Sequence, residues 1–117
     1  MNRFRARGRT NGRKKGMNGT EKEHALTLEA RKQAGEVIRF GFETMSFKLA
    51  KDARFTPDFY VLMADGSIEF HETKGYAFEE AALVRIKVAA EQHPEFTFRS
   101  FTKRSKKNGG GWEERTY

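Results

Sequence analysis

Two apolar runs flank a turn signal in residues 57–74, PDFYVLMADGSIEFHETK, and this stretch constrains the fold more than any other part of the chain. Short runs rich in Phe, Val and Ile indicate strands, and an Asp-Gly pair between them is typical of a β-hairpin. Charged groups lie near the outer ends of the two runs, at Asp58, Glu72 and Lys74. The sequence therefore predicts a hairpin whose register decides whether these three side chains meet.

Two registers are compatible with this turn. A two-residue loop, Asp65-Gly66, would place Asp58 on the face opposite to Glu72 and Lys74. A three-residue loop, Ala64-Asp65-Gly66, with its glycine in a left-handed bulge position, would place Asp58 directly across from Glu72, with Lys74 on the same face. The apolar pattern alone fits both registers. Two carboxylates that face each other repel unless a cation lies between them, and oxygen ligands suit Mg²⁺ or Mn²⁺, so the chemistry favours the three-residue loop.

The segments on either side of the hairpin, which spans about 55–74, predict one small domain. A capping-box pattern at 20–23 predicts a helix over about 21–34, and period-two alternation over 37–50 predicts one bent strand or two short ones. Further along, amphipathic spacing predicts a second helix over 79–93, and a Phe-rich run predicts a last strand over 96–101. This order predicts an α/β (α+β) fold, in which helices flank a central mixed sheet.

The two ends of the chain are strongly basic, whereas its middle is close to balanced. The 117 residues include 23 Lys or Arg and 16 Asp or Glu, which gives a net charge of +7. Such flanking blocks suit a polyanion, and we predict that they bind the DNA backbone; on charge alone, an acidic protein or an anionic membrane surface is the alternative. The residues concerned are Arg3, Arg5, Arg7, Arg9, Arg13, Lys14 and Lys15 at the start and Lys103, Arg104, Lys106 and Lys107 near the end.

Composition and charge also predict the domain organisation. We expect a disordered basic arm over 1–18, a folded domain over 19–104 and a Gly-rich basic tail over 105–117. Cysteine is absent, which excludes disulfides and thiolate metal sites. No apolar run approaches the length that spans a bilayer and no secretory signal is recognisable, so we expect no membrane partner and a cytoplasmic location.

The motif itself is similar to one that is known. Pro57-Asp58 and, after the turn, Glu72-Thr73-Lys74 resemble the signature of the PD-(D/E)XK nuclease superfamily, and the predicted order of elements resembles its restriction-endonuclease-like αβββαβ core. More closely, residues 17–103 resemble small phage-encoded nucleases described as Holliday-junction-resolvase-like. The stretches that carry this resemblance are GTEKEHALTLEARKQAGEV, RFTPDFYVLMADGSIEFHETKGY and RIKVAAEQHPEFTF.

The resemblance implies a metal-dependent DNA endonuclease with Mg²⁺ or Mn²⁺ as its cofactor. Asp58 and Glu72 would be the metal-binding carboxylates, the backbone carbonyl of Thr73 a further ligand and Lys74 the catalytic lysine. The resemblance also raises the expectation of a branched DNA substrate, a homodimer and, for a phage-encoded protein, the cytoplasm of a bacterial host.

The same resemblance implies roles for two more residues. It implies an acid on the first helix that faces the site, for which Glu21 is favoured over Glu23, and it favours Lys87 as a phosphate contact on the second helix. The competing interpretation belongs to a different class of protein. It is a non-catalytic basic nucleic-acid-binding module, in which the acids are inert and only the cations matter.

Overall fold

The structure, a computed structural model, describes residues 16–75 and 79–117. The order of its elements confirms the predicted succession of a helix, strands, a hairpin, a second helix and a further strand. In chain order they are α1 (Gly19–Gln33), β1 (Val37–Phe42), β2 (Phe47–Ala50), β3 (Ala53–Phe55), β4 (Phe59–Met63), β5 (Ile68–Lys74), α2 (Glu80–Gln92), β6 (Thr97–Lys103), a 3₁₀ turn (Lys106–Asn108) and β7 (Trp112–Thr116).

Five strands form a mixed sheet in the order β1-β4-β5-β6-β7. Strand β6 is parallel to β5, and the chain crosses between them through α2, whereas the other neighbours are antiparallel. Strands β2 and β3 form a separate two-stranded hairpin. The predicted α+β fold with a central mixed sheet is therefore confirmed. No helix within the described residues is long and apolar enough to cross a membrane.

The sheet separates two apolar clusters, because alternate residues of its strands point to opposite faces. Buried residues on one side pack with α1, and those on the other side pack with α2 and the β2–β3 hairpin. Phe70 and Phe98 stack at 5.4 Å between ring centroids in the second cluster. The first cluster consists of Leu28, Val37, Phe59 and Val61, and the second of Phe47, Phe55, Phe70, Ile86, Ala89 and Phe98.

The turn between β4 and β5 uses three residues, as the chemistry of the acids predicted. Phe59 pairs with His71, and the pairing continues without a shift to the turn, which places Ala64, Asp65 and Gly66 in the loop. The glycine has a φ of 89°, in the left-handed region that the bulge requires. The side chain of Asp65 accepts hydrogen bonds from the N–H and the hydroxyl of Ser67, which holds the loop.

Several predicted boundaries differ from those observed. The capping box of α1 joins Asn18 to Glu21, two residues earlier than the sequence pattern suggested. Phe55 belongs to β3 rather than to the β4–β5 hairpin. Strand β7 pairs with β6, so the sheet extends beyond the domain boundary expected at residue 104. The basic arm expected over 1–18 lies almost wholly outside the described residues.

Candidate functional site

Asp58 and Glu72 lie opposite each other at the end of the β4–β5 hairpin. The pairing of Phe59 with His71 brings Asp58, the residue before β4, across from Glu72. The N–H of Asp58 donates to Oε1 of Glu72 at 3.0 Å, and the N–H of Thr73 donates to Oδ2 of Asp58 at 2.8 Å. The hydroxyl of Thr73 donates to the same oxygen at 3.0 Å. Each carboxylate is therefore fixed through one oxygen to the opposite strand.

The two carboxylates are buried enough for their negative charges to be unfavourable. Asp58 is 8% exposed, and the side chain of Glu72 is 12% exposed. Burial raises the pKa of Asp58 to about 6, although hydrogen bonds from Thr73 act in the opposite direction. Burial and then repulsion from Asp58 raise the pKa of Glu72 to about 8. The pair therefore favours a proton or a cation close to its oxygens.

Lys74 completes the predicted motif at the end of β5. Its Nζ lies 4.0 Å from Oε2 of Glu72, and its positive charge lowers the pKa of both carboxyl groups. An open cavity of about 400 Å³ adjoins this lysine. Four of the candidate residues from the sequence line this cavity, namely Glu21, Asp58, Thr73 and Lys74. The other lining residues are Asn18, Thr20, Gly75 and Glu79.

Two further acids reach this cavity from the starts of the helices. Oε1 of Glu21 accepts a hydrogen bond from the N–H of Asn18 at 2.9 Å, so the favoured helix acid is also the capping-box partner. Its charge contributes to the raised pKa of Asp58. Glu79 occupies the N-cap position of α2, but its side chain makes no capping hydrogen bond. The sequence motif did not single out Glu79, because no spacing rule connects it to the hairpin.

The oxygens of this pair fit a hard divalent cation. No three or more His, Asp or Glu side chains converge as a metal-binding group within residues 16–75 and 79–117. Mg²⁺ needs fewer protein ligands, since it is usually held by one or two carboxylates with waters and substrate phosphates. The hydrogen bonds from described residues use Oδ2 of Asp58 and Oε1 of Glu72. These bonds do not involve Oδ1 of Asp58 or Oε2 of Glu72, and Oε2 of Glu72 contacts Lys74 at 4.0 Å. These two oxygens are the candidate cation ligands, with the carbonyl of Thr73 as the further ligand that the motif suggests.

A second cavity, of about 440 Å³, lies on the outer strand β1 and does not contain this chemistry. Its lining includes Arg39, Met45, Tyr60 and Ile68, and it contains no acid. The guanidinium of Arg39 lies 5.7 Å from the centroid of the Tyr60 ring. Because the acid pair and Lys74 lie outside this cavity, the candidate chemistry belongs to the first one.

The C-terminal basic cluster continues from the same end of the sheet as the acid pair. Lys74 pairs with Thr102 of the parallel strand β6, so that Lys103 lies just beyond this pair. Lys103 forms an ion pair with Glu23 of α1, whereas the capping partner is Glu21. Arg104 donates a hydrogen bond to the carbonyl of Gly110 at 3.0 Å. Two further lysines of this cluster are exposed in the 3₁₀ turn, Lys106 and Lys107.

The remaining predicted DNA contacts lie elsewhere. Lys87 is exposed on α2 and lines a different cavity, beside Arg115 and Tyr117. The N-terminal cations fall outside the described residues, and their role stays a prediction. They are Arg3, Arg5, Arg7, Arg9, Arg13, Lys14 and Lys15.

A buried histidine network lies on the α1 side of the sheet, away from the acid pair. Nε2 of His24 and Nδ1 of His71 are 2.9 Å apart, and Nε2 of His71 is 2.8 Å from Oε1 of Glu69. Arg99 donates to the same oxygen of Glu69 at 3.1 Å. A carboxylate accepts, so His71 carries its proton on Nε2 and His24 donates to Nδ1 of His71. Sequence spacing did not reveal this contact, because the two histidines are 47 residues apart.

The network predicts an acid-sensitive fold. Burial lowers the pKa of His24 to about 3, with His71 and Arg31 acting in the same direction. Below a pH of about 6.5 the unfolded chain binds a proton that folded His24 excludes, so stability falls as the pH falls. Between pH 7 and pH 5, the free energy of unfolding should therefore fall by about 2 kcal/mol more in the wild-type protein than in His24→Gln. Urea unfolding at both pH values measures the difference, to which the acid pair contributes equally in both proteins. If the wild type and His24→Gln lose the same stability between pH 7 and pH 5, the assignment of a neutral His24 is contradicted.

Comparisons with protein-family profiles, with curated protein sequences and with solved structures found no match for this chain. The resemblance to PD-(D/E)XK nucleases therefore stays a prediction that rests on the motif and on the order of the elements.

Proposed function

We propose that this protein is a metal-dependent DNA endonuclease that hydrolyses phosphodiester bonds at the Asp58–Glu72–Lys74 site. The observation that carries this proposal is the register of the β4–β5 hairpin, which brings two largely buried carboxylates opposite each other, with Lys74 at the end of β5. A pair of facing carboxylates is unfavourable unless a cation is bound, and a basic surface next to it suits a polyanionic substrate.

Each residue has a distinct role in this proposal. Asp58 and Glu72 hold Mg²⁺ or Mn²⁺ through their available oxygens, with the carbonyl of Thr73 as a further ligand. When bound, this cation lowers the pKa of a water molecule and stabilises negative charge at phosphorus. The ammonium of Lys74 orients the attacking water and neutralises the phosphoryl oxygens. Glu21 lines the same cavity and assists from the first turn of α1.

The substrate is held mainly through its phosphates. Lys103, Arg104, Lys106 and Lys107 leave the sheet at the end where the acid pair lies. Contacts of this kind carry little sequence information, and their strength falls steeply as salt is added. A preference for branched DNA and a homodimer with one site for each strand are the finer parts of the proposal.

The test compares cleavage by the wild-type protein and by Asp58→Asn. Supercoiled plasmid, linear duplex and a four-way junction are incubated with each protein in Mg²⁺, in Mn²⁺ and in EDTA. We expect the wild type to cut only with a divalent ion and Asp58→Asn to be at least about 100-fold slower, because it loses one charged metal ligand. The asparagine keeps an oxygen for the Thr73 hydrogen bonds, so folding should be preserved.

Two results would contradict the proposal. Cleavage that survives EDTA, or that Asp58→Asn does not change, would exclude the acid pair as a metal site. DNA binding that is intact in both proteins, without cleavage in any condition, would instead support the non-catalytic nucleic-acid-binding module.

A further inference from the structure

The β2–β3 hairpin has one buried and one exposed face. Phe47 and Phe55 pair across its two strands and are buried, at 7% and 4% exposure, in the apolar cluster beneath α2. Gln92 of α2 donates a hydrogen bond to the carbonyl of Leu49 at 3.1 Å. Since these contacts fix one face of the hairpin against the core, the alternate side chains are directed away from it.

The exposed face carries two cations that are paired directly across the strands. Lys48 is the cross-strand partner of Arg54, and both are exposed. Like charges in this position repel and destabilise a hairpin, unless an anion lies between or above them. Their Cβ atoms are expected to lie about 4.5–5.5 Å apart, so both heads can approach one phosphate or two neighbouring ones.

Two hydroxyl groups extend the same face towards the acid pair. Thr56 donates to Oγ of Ser46 at 3.0 Å, and Nε of Arg54 donates to the same oxygen at 3.3 Å. Hydroxyls and a guanidinium are typical phosphate ligands of DNA-binding proteins. The face therefore has the composition of a phosphate-binding surface, although neither motif nor charge clusters pointed to it.

The position of this face relative to the site follows from the chain. Arg54 precedes Asp58 by four residues, so their Cα atoms lie at most roughly 14 Å apart. That separation corresponds to about four nucleotide steps along one DNA strand. A strand with one phosphate at the acid pair therefore has further phosphates at a distance that Lys48 and Arg54 can reach.

We propose that the exposed face of the β2–β3 hairpin, formed by Ser46, Lys48, Arg54 and Thr56, binds phosphates of the strand being cut, a few nucleotides from the phosphate at the acid pair. This inference rests on the proposed function, because it takes DNA as the substrate of the neighbouring site. The face positions the strand through its backbone and carries no base specificity. Its contribution is to affinity rather than to the chemical step.

The test measures the binding of a 30-base-pair duplex in EDTA, where no cleavage is expected, by fluorescence anisotropy over a series of salt concentrations. For Lys48→Ala/Arg54→Ala we expect at least a tenfold weaker Kd at about 0.1 M salt. The slope of log K against log salt should fall by about 1.8, since two phosphate contacts are lost. The thermal midpoint should change little, because the removal of two repelling charges offsets the loss of the hydrogen bond from Arg54 to Ser46.

A matched control separates a local contact from a general loss of charge. Lys32→Ala/Arg85→Ala removes one lysine and one arginine, both exposed, from α1 and α2. We expect this variant to bind within threefold of the wild type. Lys48→Arg/Arg54→Lys, which keeps both charges on the hairpin, should retain most of the affinity. In Mg²⁺ with saturating protein, Lys48→Ala/Arg54→Ala should cut within threefold of the wild-type rate.

The outcomes distinguish this inference from the proposed function. If the wild type cleaves and binds DNA while the hairpin variant matches the control variant in Kd and salt slope, the hairpin assignment is overturned and the nuclease assignment stands. If Lys48→Ala/Arg54→Ala cuts more slowly at saturating protein while its Kd for DNA is unchanged, the hairpin affects the chemical step and not binding. That result would also overturn the hairpin assignment. If the wild type neither binds nor cleaves DNA, both proposals fall together.

Discussion

Replacing Lys74 with alanine is expected to slow Mg²⁺-dependent cleavage of DNA by about 10²–10³-fold, because the variant lacks the ammonium that would face the charge developing at phosphorus. The ammonium lies 4.0 Å from Oε2 of Glu72, and Lys74 lines the same cavity as Asp58. Its loss also removes a positive charge close to both carboxyl groups, so a slower rate would not reflect greater repulsion of the cation. The measurement is a single-turnover rate at saturating protein and metal, with duplex affinity determined separately in Ca²⁺.

A nearby lysine provides the control for this result. Lys22→Ala removes the same charge from an exposed position on α1, next to Glu21, and should change the single-turnover rate by less than threefold. If both variants lose rate equally, the effect of Lys74 is one of overall charge. If Lys74→Ala cuts at the wild-type rate, this residue has no catalytic role, whatever the acid pair does.

Glu72→Gln should make the metal-free protein more stable and inactive at the same time. At high pH the wild type holds two ionised carboxylates opposite each other in a buried site, and the substitution removes one of these charges. The amide oxygen can still accept the hydrogen bond from the N–H of Asp58. We expect a gain of about 1–3 kcal/mol in the free energy of unfolding at pH 9 in EDTA. For a domain of this size, that corresponds to a rise of at least about 4 °C in the thermal midpoint.

The pH dependence of this gain has a defined sign. The pKa of Glu72 is raised to about 8 in the folded protein, so its contribution to stability is present below the ordinary glutamate pKa and is lost as the pH rises through 8. The advantage of Glu72→Gln should therefore be small at pH 5 and largest at pH 9. Mg²⁺ or Mn²⁺ should reverse the order, because it stabilises the wild type and not the variant. Equal stability of the two proteins at pH 9 in EDTA would contradict the repulsion between Asp58 and Glu72.

The register of the β4–β5 hairpin could be predicted because two local signals complement each other. The Asp65-Gly66 turn restricts the loop to two lengths, and the position of Asp58 relative to Glu72 selects between them. The fold class followed in the same way, from the order of helical and strand periodicities. These features depend on residues close together in the sequence, where a pattern is informative.

The start of α1 could not be predicted in this way, because the sequence contains two overlapping capping boxes. Asn18 with Glu21 and Thr20 with Glu23 satisfy the same rule. In the structure Glu21 caps the helix, while Glu23 pairs with Lys103 at the end of β6. The partner of Glu23 thus lies 80 residues away in the sequence, where no local capping rule applies.

Other features were missed for the same reason. The separate β2–β3 sheet exists because Phe47 and Phe55 pack beneath α2, a contact that alternation along 37–50 does not reveal. The contact between His24 and His71 joins a helix to the middle of the sheet. Long-range packing of this kind has no periodic signature in a single sequence.

The two outer strands of the sheet bear on how copies of this protein can associate. Edge strands expose unpaired backbone groups that invite pairing with another sheet, and proteins discourage it with charges and bulges. Strand β7 presents Glu113, Glu114 and Arg115, all exposed, and β1 has a bulge between Val37 and Arg39. Both edges are thus protected against continuous strand pairing and against aggregation by that route. These features disfavour a homodimer in which two sheets join edge to edge, and favour one formed through helices or loops.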